Sequence, residues 1–125
     1  MKKISILFFA LVLIAGSTFA QAKKSSWTEM NELNQIMTST FTPATEGNLA
    51  PIKAKAQQLY LASKNLVSSE MPAAFDTKEN KVAAQKFMVK CNDIWNAIAT
   101  KNSDKNITMM IDEAQALYNK ITPKK

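Results

Sequence analysis

Three amide side chains, Asn34, Gln115 and Asn119, are the residues of this 125-residue chain whose types and spacing best suit a ligand site. Gln115 and Asn119 share a helix face at i, i+4. On an antiparallel neighbour, at about 1.5 Å per residue, Asn34 comes level with Gln115, and Met30 with Asn119. The chain has no His, which removes the usual general base and the commonest metal ligand. Carboxylates pair in sequence at Glu29 with Glu32 and at Asp112 with Glu113, but lysines and polar groups surround each pair, as on a solvated helix surface. Met88 and Cys91 form an i, i+3 sulfur pair soft enough for Cu(I). Cys91 falls on a helix seam, however, where a free cysteine packs as a small apolar residue. The other methionines after the first residue, Met30, Met37, Met71, Met109 and Met110, are scattered in the manner of core filler rather than of a copper ladder.

Four amphipathic helices position these groups. Ser26-Trp27-Thr28-Glu29 reads as a capping box, after which Met30, Leu33, Met37 and Phe41 recur at helical spacing until Thr42-Pro43. Residues 42 to 47 are expected as a connection, and the height count puts Thr42 at the far end of this helix from Asn34. Leu49, Ile52, Ala56, Leu59, Ser63 and Leu66 alternate steps of three and four, a bundle seam ending near Ser68, with Pro51 harmless in the first turn. Met71-Pro72 and Phe75 lie in a linker, and Asp76 is the expected cap of a third helix, with Glu79 three residues on. The third seam is Ala84, Phe87, Cys91, Ile94 and Ile98, running to about Thr100. After the break at Asn102-Ser103-Asp104, the pattern Ile107, Met110, Ala114, Leu117, Ile121 predicts the last helix, closed by Pro123. Short connections make the expected fold all-α, an antiparallel up-down-up-down four-helix bundle over residues 26 to 122.

The start of the chain predicts export. Lys2 and Lys3 precede twelve uncharged residues, Ile4 to Ala15, the length of a signal-peptide core and too short to span a bilayer. Small residues permit cleavage after Ala20 or after Ala22. Ser17 stands where a lipoprotein box would need cysteine. The reading is a cleaved leader at residues 1 to 20, a periplasmic or secreted location, and no stable membrane insertion afterwards. Without Lys2 and Lys3 the 16 basic residues fall to 14 against 10 acidic ones, so the net charge drops from +6 to +4. Every basic residue is Lys, which argues against nucleic acid, where the arginine fork dominates recognition. A single cysteine allows no internal disulfide, so stability must come from packing.

Trp27-Thr28-Glu29-Met30, Met37, the run from Thr40 to Leu49, and Pro51-Ile52-Lys53 resemble small exported four-helix proteins common in Bacteroidota. Those proteins typically read tryptophan, a Phe-His pair, Thr-Phe-His-Pro, Glu-Gly-Asn-Leu and Pro-Ile-Lys, and close with a His-x-x-Phe-His-x-Ile helix. Their fold is similar to that of periplasmic b-type and c-prime cytochromes. The resemblance spans nearly all of the chain after the leader, and its specific part is residues 27 to 53. It implies metal-binding histidines at positions that here hold Asn34, Thr42, Gln115 and Asn119, with Glu46 matching an acidic position. For a b-type haem it places the axial methionine at Met30 and the axial histidine at Asn119. Together these six residues outline a vestigial ligand site. The expected function is a non-enzymatic exported binding or interaction protein, without cofactor, whose partner is a ligand or an envelope protein. The alternative is a copper or haem carrier using Met30, Met37, Cys91 or Glu46.

Overall fold

The protein is described from a computed structural model at residues 27 to 124; the expected leader with its two cleavage sites and the expected cap residue Ser26 lie outside the described residues. The described residues form four α-helices, α1 (Thr28–Thr45), α2 (Ala50–Ser68), α3 (Lys78–Ala99) and α4 (Asp104–Asn119), with a 3-10 turn at Ala73–Phe75 and no strand. The fold is all-α.

Trp27 starts α1 without a side-chain cap and anchors it by other means. Its indole is 1% exposed, its Nε1 donates to Ser69 Oγ at 2.8 Å, and its ring tilts against Phe75 at 5.3 Å between centroids. The first turn of α1 is thereby fixed to the end of α2. Met30, Leu33, Met37, Thr40, Phe41 and Ala44 are buried along α1, and the Thr40 hydroxyl donates to the Ile36 carbonyl at 2.8 Å, which lets a polar residue sit in the core.

The expected stop at Thr42-Pro43 is corrected: α1 runs through Pro43 to Thr45. A proline in the last turn forfeits one helix bond, and two closing bonds restore the end. Gly47 N donates to Ala44 O at 3.0 Å and Asn48 N to Pro43 O at 2.9 Å, the Schellman arrangement. It requires a left-handed residue, and Gly47 supplies it at φ 89°. The end of α3 closes in the same way, through Lys101 N to Ile98 O and Asn102 N to Ala97 O, but there Lys101 takes the left-handed position at φ 57°.

α2 buries Ile52, Ala56, Leu59, Ser63 and Leu66, with Leu49 just before it, as the spacing predicts. The cap of α3 falls one residue later than expected: Thr77, not Asp76, accepts from Asn80 N, at 3.0 Å, while Asp76 pairs with Lys81 at 3.2 Å. Asn80 is 3% exposed and fully used, donating to Phe75 O and Thr122 O and accepting from Thr122 N. It ties the start of α3 to the segment after α4. Ala84, Phe87, Cys91 and Ile94 form the buried stripe of α3 as expected, with Ala97 buried and Ile98 only half-buried at its end.

α4 departs more from its pattern. Ser103 caps it through Asn106 N, but its buried residues are Ile107, Ile111 and Ala114, and it ends at Asn119. Met110 and Leu117 are half-buried, with Leu117 at the margin against α3, and Ile121 enters the core from the non-helical tail. α1 packs along α2, α2 along α3 and α3 along α4, whereas α1 and α4 touch over a much narrower strip. Among the described residues no helix is long and apolar enough to cross a membrane, and no buried side-chain nitrogen or oxygen lacks a hydrogen-bond partner.

Candidate functional site

The narrow strip between α1 and α4 is where the amides meet. Two recesses lie along it. The upper, about 140 Å³, is lined by Asn34, Met37, Thr38, Phe41, Thr42, Thr45 and Gln115. The lower, about 340 Å³, is lined by residues that include Met30, Asn34, Tyr118 and Asn119, with Phe75 and Ile121 beneath. Asn34 belongs to both, and no charged side chain lines either one.

The local sequence explains this arrangement. Met30, Leu33 and Met37 turn the apolar edge of α1 inward, which leaves Asn34 and Thr38 at its rim; Ile107, Ile111 and Ala114 do the same on α4 and leave Gln115 and Asn119 outside. Gln115 Nε2 donates to Asn119 Oδ1 at 3.0 Å, and Tyr118 Oη donates to Asn34 Oδ1 at 3.4 Å across the seam. Burial raises the Tyr118 pKa above its usual value, so the phenol stays protonated and remains a donor. Its ring leans on Phe87 at 5.8 Å, which holds the hydroxyl at the rim. Tyr118 is the member of the site that spacing alone missed. The available signal was an aromatic with one polar end, placed between Leu117 and Asn119 at the edge of the apolar stripe.

Asn34 and Gln115 line one recess, and Met30 and Asn119 the other. Thr42, expected apart from the amides, lines the same recess as Asn34 and Gln115. It nevertheless sits about 12 Å further along the helix axis than Asn34, too far to share an ion with it. Glu46 is exposed at the end of α1 and lines neither recess.

The residues present do not fit copper or haem. Met30 and Met37 lie about 10 Å apart along α1. Cys91 is 0% exposed on α3, and burial, partly offset by a hydrogen bond with Ser63, pushes its thiol up from 9.0 to about 12, so a thiolate ligand is strongly disfavoured at neutral pH. The position at which the resemblance would place an axial histidine holds the exposed amide Asn119. Among the described residues no three His, Cys, Asp or Glu side chains gather as a metal site would need. Of the carboxylates, Glu32, Asp112 and Glu113 are exposed, Glu29 is half-exposed, and Glu113 pairs with Lys90 at 2.8 Å.

What the seam offers is hydrogen bonding. Asn34 Nδ2, Gln115 Oε1 and Asn119 Nδ2 have no protein partner among the described residues, and Met37 and Phe41 give the upper recess an apolar floor. No family model, no curated protein and no solved structure matches the chain.

Proposed function

We propose that the chain is an exported, non-enzymatic binding protein that engages an envelope protein or ligand through the seam between α1 and α4. In this reading residues 1 to 20 are a signal peptide, and the rest is an antiparallel up-down-up-down bundle, a histidine-less relative of metal- and haem-binding bundles. Three contacts support the topology: Trp27 with Ser69 joins the start of α1 to the end of α2, Lys53 with Asp104 at 3.0 Å joins the starts of α2 and α4, and Asn80 joins the start of α3 to the tail of α4.

The observation that carries the function is the lining of the seam. Helices that meet only to close a core place apolar residues at their contact, whereas this seam presents amides and hydroxyls over an apolar floor, with no charge. Such a surface suits uncharged hydrogen-bonding groups, as along an extended peptide segment. The resemblance adds that the amides occupy positions where relatives would hold ligands.

The test is capture from native envelope extract by the immobilised chain, compared with a variant carrying Asn34→Ala, Gln115→Ala and Asn119→Ala. The expected result is a captured partner whose yield falls at least about tenfold with the variant, a loss of roughly 1.4 kcal/mol. Equal yields from both chains would refute the reading.

A further inference from the structure

The solvent side of α3 breaks the rule that its inner side keeps. Val82 and Val89, seven residues apart on one face, are 46% and 52% exposed. A β-branched residue there helps neither the helix nor solvation. Beside Val89 a groove of about 340 Å³ runs between α3 and α4, lined by Gln85, Lys86, Val89, Lys90, Asp93 and Leu117. Lys90 is occupied by Glu113. Lys86 and Asp93 make no ion pair among the described residues, although they border the same groove three residues before and four residues after Val89.

We infer that this face is the interface of a homodimer in which α3 lies antiparallel to the partner's α3 about a two-fold axis near Val89. The order of charges selects both the occupant and the direction. A two-fold axis perpendicular to α3, passing between Val89 and Lys90, sets Lys86 opposite the partner's Asp93 and Asp93 opposite the partner's Lys86, so one complementary pair forms twice, flanking the two valines. A parallel arrangement would set Lys86 against the partner's Lys86 and Asp93 against the partner's Asp93. Flanking charges on paired helices fix partner and orientation in this way. The groove beside Leu117 receives apolar surface from the partner, and Val82 extends the strip by two turns. α3 has 22 residues and is about 33 Å long, so one helix pair buries an area at the small end of specific interfaces, and a weak, concentration-dependent dimer is expected.

Sedimentation equilibrium on the purified exported chain, from about 5 µM to about 1 mM, tests this. The expected result is a monomer–dimer equilibrium within that range. Lys86→Glu alone or Asp93→Lys alone should weaken it at least about tenfold, because each opposes like charges across the axis. The two together should restore the dimer to within about threefold of the parent, because the pairs re-form in reverse. Both positions lie outside the core, and unchanged thermal melts of the helical signal confirm that each variant is folded. A parent chain that is monomeric throughout overturns the proposal. So does a Lys86→Glu variant that associates as well as the parent, or a combined variant no better than either single one.

Discussion

The interface of α2 with α3 and the seam of α1 with α4 differ in what their residues can do when helices approach. Across the first, Ala56, Ser63, Ala84 and Cys91 are small enough to let the helices close, and Leu59, Leu66, Phe87 and Ile94 fill the remaining space, all essentially inaccessible to water. Even the polar Ser63 is satisfied, donating to Tyr60 O at 2.6 Å. Across the second, long amides and threonines hold the rims apart, and the contact narrows to a strip with recesses. Stability therefore resides mainly in the stack of α1 on α2 on α3 on α4, and the pairing of α1 with α4 contributes least.

The largest expected effect lies on the closed side. Leu59→Ala should cost about 2 to 5 kcal/mol in urea unfolding, since it removes a buried side chain and leaves a cavity. Asn34→Ala, on the open side, should stay within about 0.5 kcal/mol. Similar losses at the two positions would erase the distinction between the regions.

A smaller effect follows from the buried thiol. Its folded pKa of about 12 exceeds the ordinary 9.0, so below pH 9 both states hold the proton and the contribution to stability is complete. Between pH 9 and 12 the unfolded chain releases the proton while the folded one keeps it, and stability falls as pH rises. At pH 10 the loss is about 1.4 kcal/mol relative to pH 8. The measurement is the difference between the parent and Cys91→Ala in urea unfolding at the two pH values, which isolates the thiol. An unchanged difference would mean that Cys91 is open to solvent, and the α2–α3 interface looser than described.

The closed side was also the more legible in sequence. The seam from Leu49 to Leu66 and the stripe from Ala84 to Ile94 follow from period alone, because two broad partners on either side leave a helix little choice of face. α4 was harder for the opposite reason. With α1 touching it only narrowly, its inward edge is 107-111-114 rather than 107-110-114, and Met110 and Leu117 slide to the margin. At the end of α1 the sequence signal and the chemistry differ: Pro43 looks like a stop, whereas the terminating residue is the left-handed Gly47 four residues on. At the site, helical rise set Asn34 level with Gln115. It could not reveal that Tyr118 reaches across to Asn34, which depends on the lean of its ring against Phe87.

The most direct test of the open seam replaces its three amides with metal ligands. Gln115 and Asn119 already meet at 3.0 Å, so imidazoles at both can converge on one ion, and a third from position 34 across the seam completes three protein ligands with a place left for water. The variant carrying Asn34→His, Gln115→His and Asn119→His should bind Zn(II) in calorimetry where the parent does not. At a hundredfold excess of free ion over its Kd it should gain about 2.7 kcal/mol of stability, seen as a higher Tm. Binding no tighter than the parent's, with Tm unmoved by zinc, would contradict the account: the three positions would not share a site, and the seam would be solvated surface rather than a place of recognition.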